Sequence, residues 1–270
     1  MNGGCPLWQP LSFVYMALRL IQFYSLVISL FTWFAGNAQV LNIESKRFYN
    51  DTAGWTGNTK LNFLYQYNSN HILTAGNTIH VQYQKNLVRW IFLNDVSINR
   101  FNGQNFLNTG YQHVRFNHRI KHGLRVTWEA YAQTQYNKPM QLHFRSVSGT
   151  GPRIRIIRND KLRMYVATSY FFEYELSGTQ REEIYTHRNS TYLTFTWFIK
   201  EHSELSSTTY YQPALNDWED FRIATDFNLT FEITKHFAFG IAGSLLYDTR
   251  QPVDVPNLIY RMEQRLVYNF

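Results

Sequence analysis

Cysteine is all but missing from this 270-residue chain: the single one, Cys5, stands ahead of the one long apolar run. Disulfides therefore cannot hold the remainder together, whatever its redox compartment. With no apolar run before it, Cys5 also lacks the setting of an acylated lipoprotein cysteine. Linkers are missing too. No Pro-, Gly- or Ser-rich stretch, charge block or change of composition divides the chain after about residue 40, which argues for one domain. No segment beyond residue 50 shows a helical period. Phosphate loops are absent as well: "GTGPR" (149–153) has the glycines but neither the spacing nor the Lys-Ser/Thr pair. A net charge of +7 raises nucleic acid as a partner, but the basic residues are spread through the sequence instead of forming a patch. Charged residues make up only 17% of the chain, and aromatic residues equal them at 17%. That aromatic share is high for a mean hydropathy of -0.36.

Residues 1–38 differ in kind from the rest. "LRLIQFYSLVISLFTWFAGNAQ" has Arg19, an apolar run from Leu20 to Phe34 and a small-residue end at Gly36 and Ala38, the pattern of a signal peptide cleaved near Ala38. The run is about 15 residues, short of the roughly 20 that a transmembrane helix needs. Met16 is placed to be the true start. Residues 39–54 are expected to be a periplasmic segment, and 55–270 the folded domain.

What fills that domain is alternation with a period of two. In "EDFRIATDFNLTFEITKHFAFG" (219–240), Phe221, Ile223, Thr225, Phe227, Leu229, Phe231 and Ile233 alternate with Arg222, Ala224, Asp226, Asn228, Thr230 and Glu232. A β-strand puts these two sets on opposite faces. The same pattern predicts about twelve strands: 55–68, 70–84, 86–99, 105–119, 122–136, 140–158, 160–177, 185–199, 202–213, 218–232, 235–248 and 258–270. Their connections look sorted. "QKN", "RIKH", "RND", "KEH" and "TKH" are tight, while "RFNGQN", "NKPM", "SGTQREEIY", "PALNDWED" and "DTRQPVDVPN" are mostly longer, the first hairpin at "NSNH" being the exception. Short turns at one end, long loops at the other and an even strand count describe a transmembrane barrel of the bacterial outer membrane, and an Ig-like sandwich would not sort its loops this way.

The aromatic residues agree with that reading. On the apolar faces, Tyr83, Trp90, Phe116, Trp197, Phe237 and Tyr268 lie near the short turns, and Tyr136, Tyr174, Tyr211, Phe221, Tyr247 and Tyr260 near the long loops. Two girdles of amphipathic rings are what the two headgroup regions select, whereas rings filling a soluble core have no reason to gather at both rims. Low hydropathy follows because only one face of each strand meets lipid. The final strand "LIYRMEQRLVYNF" carries Leu266, Tyr268 and the terminal Phe270 on one face, as in the signal that the barrel assembly machinery recognises.

"SVSGTGPRIRIIRNDKLRMYVATSYFFEYE" and "STTYYQPALNDWEDFRIATDFNLTFEITKHFAF" resemble the salt-induced outer-membrane protein family, which is defined by a domain of unknown function. The likeness covers most of residues 40 to 270. It implies an outer-membrane location and brings no established activity.

Function is then sought among the inward side chains: Arg89, Asp95, Arg115, Arg125, Glu129, Arg145, Arg153, Arg155, Arg163, Glu173, Glu175, Arg188, Arg222, Asp226, Glu232, Arg261, Glu263 and Arg265. Both signs at this density predict a lumen charge network that fills the barrel, since buried charges persist when paired. The alternative is a narrow pore, whose arginine excess would favour anions. A third class, an outer-membrane lipid hydrolase, needs a nucleophile and base in reach of each other. Ser146, Ser148, Ser169, Ser190, His113, His118, His143 and His187 supply the residue types but no nucleophile motif. The acidic "NDWED" (216–220) lacks the pattern of a calcium loop and reads as solvated. Gly149 and Gly151 are expected to admit inward arginines or a bent strand. The expected partners are outer-membrane lipids, lipopolysaccharide and the assembly machinery. No cofactor, metal or nucleic acid is expected.

Overall fold

The structure is a computed structural model that describes residues 53–200, 203–234 and 236–268. The expected signal peptide, all but the end of the 39–54 segment, and Phe270 lie outside these residues.

Twelve strands form one antiparallel sheet in chain order: β1 Gly54–Asn68, β2 Asn70–Lys85, β3 Val88–Phe101, β4 Gln104–Arg119, β5 Val126–Asn137, β6 Leu142–Arg158, β7 Leu162–Ser177, β8 Glu182–Lys200, β9 Ser203–Pro213, β10 Phe221–Glu232, β11 Phe237–Asp248 and β12 Leu258–Tyr268. The period of two predicts each of them. The ends differ where backbone geometry intervenes. Asn102 and Gly103 both have positive φ (46° and 79°), so "NG" closes a two-residue hairpin and β3 and β4 extend to it. Gly123 (φ 84°) delays β5 to Val126. The expected sorting of loops therefore holds only in part: the long segments 214–220 and 249–257 lie at one end of the sheet, but the connection expected to be tight at "RIKH" becomes the segment 120–125 at the other. We call the first the loop end and the second the turn end.

The ladders fix the faces. Arg115 stands opposite Ile91 on β3 and Tyr131 on β5, and Glu173 opposite Val147 on β6 and Thr186 on β8. On that face Arg115 and Glu129 are each 3% exposed and Glu173 is 1% exposed, whereas Trp128 and Trp197 on the other are 45% and 48% exposed. Carboxylates and guanidinium groups are almost never buried so deeply unless paired. The protein is thus inverted relative to a water-soluble one, with charge inside and indole outside. All twelve girdle aromatics fall on the outer face. Trp90–Phe116 (4.8 Å), Tyr211–Phe221 (5.8 Å) and Phe221–Tyr247 (5.9 Å) link them across strands. Two outer glycines, Gly110 and Gly243, are covered by the rings of Tyr136 and Phe227, an aromatic filling of the gap a glycine leaves in a sheet.

The sheet is strongly curled. Adjacent strands are about 4.8 Å apart, so β7 and β10 would be about 14 Å apart if it were flat. Instead Arg222 on β10 donates to Glu175 on β7 at 2.9 Å, and Tyr192 on β8 donates to Glu129 on β5 at 2.8 Å. β1 and β12 are the two ends of the ladder and are largely exposed on both faces.

Candidate functional site

Strand parity puts the inward residues on one face, and curling brings them together across it. Near the loop end Glu173 is the hub. It accepts from Arg145, from Arg188 Nε at 2.8 Å and from Arg222 Nη1 at 2.5 Å. Arg222 also binds Glu175 (2.9 Å) and Asp248 (2.5 Å). Arg188 reaches Asp220 in the 214–220 loop at 2.9 Å and donates to the Gln212 and Asp220 carbonyls. Three guanidinium groups thus face four carboxylates, and none of these side chains is more than 14% exposed. Such a network is stable only because nearly every lone pair and N–H finds a partner.

Deeper toward the turn end, Glu129 accepts from Arg115 at 3.0 Å and lies 3.9 Å from Arg153. Tyr192 completes that carboxylate from across the curled inner face. The Arg153 guanidinium stacks 3.8 Å over the Tyr165 ring, and Arg115 donates to His113 at 3.3 Å. Between the two charged layers lie inward aromatic residues: Tyr111 with Ile91 and Leu93, and Tyr192 and Tyr210 with Ala167, Ala224 and Leu246. A cavity of about 140 Å³ remains, walled by Tyr131, Phe171 and Tyr210 and topped by Gln251 and Pro252 of the 249–257 loop. The 249–257 loop closes over this mouth and is tied to its neighbours. Gln141 donates to the Val253 carbonyl (3.2 Å), and Arg250 pairs with Asp217.

Of the residues expected inward, the structure brings one group together. Arg115, Glu129, Arg145, Arg153, Glu173, Glu175, Arg188 and Arg222 form the buried network. Arg89 is inward but bonds Gln84 (2.9 Å), and Asp95 meets Thr78 (3.4 Å). Asp226 is inward, opposite Thr208 and Ser244. Five residues depart from the expected interior. Arg125 is exposed because it precedes β5, and Glu232 because it ends β10. Arg261 and Arg265 (56% and 59% exposed) pair with Glu263 on the end strand, where no second ladder covers them. Of the assembly-signal residues, Leu266 and Tyr268 are 66% and 64% exposed on the outer face.

Sequence reasoning missed Asp248, Asp220, Glu204 and Arg158. Asp248 could have been found, since it continues the even-numbered inward face of β11. Asp220 could not, because "NDWED" reads as solvated until Arg188 and Arg250 take its carboxylates. Gly149 admits the Tyr131 ring and the Phe171 Cβ, and Gly151 the close approach of the Thr168–Ser169 strand; arginines are not among their nearest neighbours. The histidines weighed for hydrolysis are dispersed: His187 meets Tyr170 on the outer face (2.6 Å), and His143 meets the Gly178 carbonyl (3.0 Å).

No match was found among curated proteins. Among solved structures, the porin NanC in a rhombohedral crystal form is similar over 73% of this chain and 94% of its own, at 13% identity and a TM-score of 0.45. The model of the family described as protein of unknown function, DUF481, matches residues 36–270. The chain belongs to that family.

Proposed function

We propose that this protein is an integral outer-membrane barrel whose lumen is filled by its own side chains, and that its role is structural. The observation that carries this is the bridge across the interior from Arg222 on β10 to Glu173 and Glu175 on β7, which joins strands three places apart with paired charges. Pairing of β12 with β1 would complete the barrel. It would satisfy two free edges that lipid cannot solvate and turn Lys60, Arg261 and Arg265 toward the interior. The outer aromatic rows then meet lipid and lipopolysaccharide, and Leu266, Tyr268 and Phe270 engage the assembly machinery during insertion. On this reading the protein is exported and is not an enzyme.

Planar-bilayer recording of the refolded protein tests it. A filled lumen gives no stepwise current, and steady ohmic steps would overturn the proposal. The second reading is a narrow anion-preferring pore, favoured by the residual cavity and by the arginines at the turn end. If steps occur, replacing Arg155, Arg158 and Arg163 by Gln is expected to move the reversal potential in a KCl gradient toward cations.

Orientation has its own test. With the turn end periplasmic, a protease-sensitive tag inserted after Gly178 or Asn216 should be cut on intact cells, and one after Lys200 should not. Cleavage at the Lys200 tag alone would reverse the topology.

A further inference from the structure

The two end strands of the ladder carry matching edges. β1 and β12 run in opposite directions, as an even number of antiparallel strands requires, so a closing pair between them is antiparallel too. The ladders already formed fix which residues of each strand point inward. On β1, Thr56 and Asn58 stand opposite the buried Gln82 and His80, and Lys60, Asn62 and Leu64 continue that face. On β12, Arg261, Glu263 and Arg265 stand opposite Ser244, Ala242 and Gly240, on the face that carries Asp248. Inward residues are therefore even-numbered on β1 and odd-numbered on β12. A slip of one residue would turn a whole inward set to the outer face, so the registers that remain differ by steps of two.

Charge chooses among them on the inner face. Lys60 is the only charged residue of β1, and Glu263 is the only carboxylate of β12. Residues directly opposite in an antiparallel pair attract when their charges differ and repel when they match. With Lys60 opposite Glu263, the ammonium joins a carboxylate that already accepts from Arg261 at 3.1 Å and lies 3.5 Å from Arg265. A slip of two either way sets Lys60 opposite Arg261 or Arg265. The outer face makes the same choice. In this register Tyr268 stands opposite Trp55, Tyr260 opposite Phe63, Met262 opposite Leu61 and Leu258 opposite Tyr65, eight side chains that are 49% to 76% exposed at the open edges. A slip of two one way sets Tyr268 opposite Gly57 and Leu61 opposite Gln264. The other way carries Tyr268 past the first residue of β1. Trp55 already meets Tyr83 at 4.8 Å, and Tyr268 meets Phe237 at 6.5 Å, so pairing Trp55 with Tyr268 joins the two ends of the turn-end girdle.

We propose that the edge of β1 is an interaction surface for β12 of the same chain in this one register, with Lys60 opposite Glu263 and Trp55 opposite Tyr268. This rests on the closed barrel proposed above and adds the partner of each edge residue. An edge closed in this way offers no template to a second copy of the chain.

The test is disulfide formation in the full chain carrying Cys5→Ser, which removes the single native cysteine. Cysteine pairs are placed on the two edges, and the protein is refolded in a non-ionic detergent at high dilution and oxidised. Thr59→Cys with Gln264→Cys and Asn58→Cys with Arg265→Cys are the pairs in register. Two neighbouring positions are used because hydrogen-bonded and non-hydrogen-bonded pairs alternate along the ladder. Thr59→Cys with Met262→Cys, and Thr59→Cys with Leu266→Cys, report a slip of two in either direction. A disulfide needs Cα atoms about 4.4–6.8 Å apart, and a slip of two residues moves them about 7 Å along the strand. The cross-linked chain, closed over most of its length, runs faster on a denaturing gel and reverts on reduction. At least one pair in register is expected to cross-link about tenfold faster than either shifted pair. Faster cross-linking of a shifted pair, or equal rates for all four, overturns the register and leaves the closed barrel standing. If no pair cross-links, the two edges are apart, and the closed-barrel reading fails together with the register. A reducible product of twice the mass would mean that β12 of a second copy takes the edge, which also overturns the proposal.

Discussion

Replacing Glu173 by leucine is expected to lower the stability of the folded protein by about 3 to 5 kcal/mol, the cost of removing one partner from a buried ion pair. Three guanidinium groups converge on this side chain, which is 2% exposed. In the variant Glu175 and Asp248 still hold Arg222, and Asp220 still holds Arg188, but Arg145 keeps only the distant contact with Glu175 at 4.0 Å. The three arginines then repel one another in a region of low dielectric, where such terms are several times larger than in water. The comparison is Arg250→Leu. Arg250 is 62% exposed in its pair with Asp217, and a surface pair of this kind contributes about 0 to 1 kcal/mol. Urea titration of protein refolded into lipid vesicles measures both. Equal, small losses would mean that water solvates the network and that the lumen is not filled as proposed.

The contrast between Glu173 and Arg250 marks how far the sequence could be read. That Glu173 and Glu175 point inward is legible, because a period of two leaves no choice once Phe172 and Tyr174 are assigned outward. Their partners are not legible. Arg222 is 49 residues away from Glu173, and the two meet only because the sheet curls across three strand spacings, a property of the whole ladder. The interior aromatics were hidden for a different reason. A reading that sorts residues into lipid-facing aromatic and lumen-facing polar has no place for Tyr111, Phe171, Tyr192 or Tyr210. These rings nonetheless fill the space between two charged layers, and Tyr192 brings a hydroxyl to Glu129 as it does so. Arg158 was hidden by a register shift after Arg155, which sets it opposite Arg163, since alternation counted from Arg155 gives it the wrong face.

The two faces themselves are tested by substituting neighbours on β10. Phe227 is on the outer face at mid-strand, paired with Ser207 and Gly243 and with its ring lying over the Gly243 backbone. Asn228 is on the inner face, where it donates to Thr230 at 3.4 Å and meets Arg265 at 3.5 Å. In the proposed membrane barrel, arginine at position 227 would stand in hydrocarbon near the middle of the bilayer, which costs about 2 to 4 kcal/mol on the lipid face. The loss of the ring over Gly243 adds to that, because the glycine has no side chain of its own to close the gap. Arginine at position 228 meets inner polar groups, with the inward Asp226 two residues along the same face, and should cost much less. The gap between Phe227→Arg and Asn228→Arg in urea titrations from lipid vesicles therefore reads directly which face meets lipid. A reversed ranking would shift the phase of β10 by one residue. Because β9 and β11 are in register with it, the inward assignment of Glu204, Arg222 and Asp248 would fall with it.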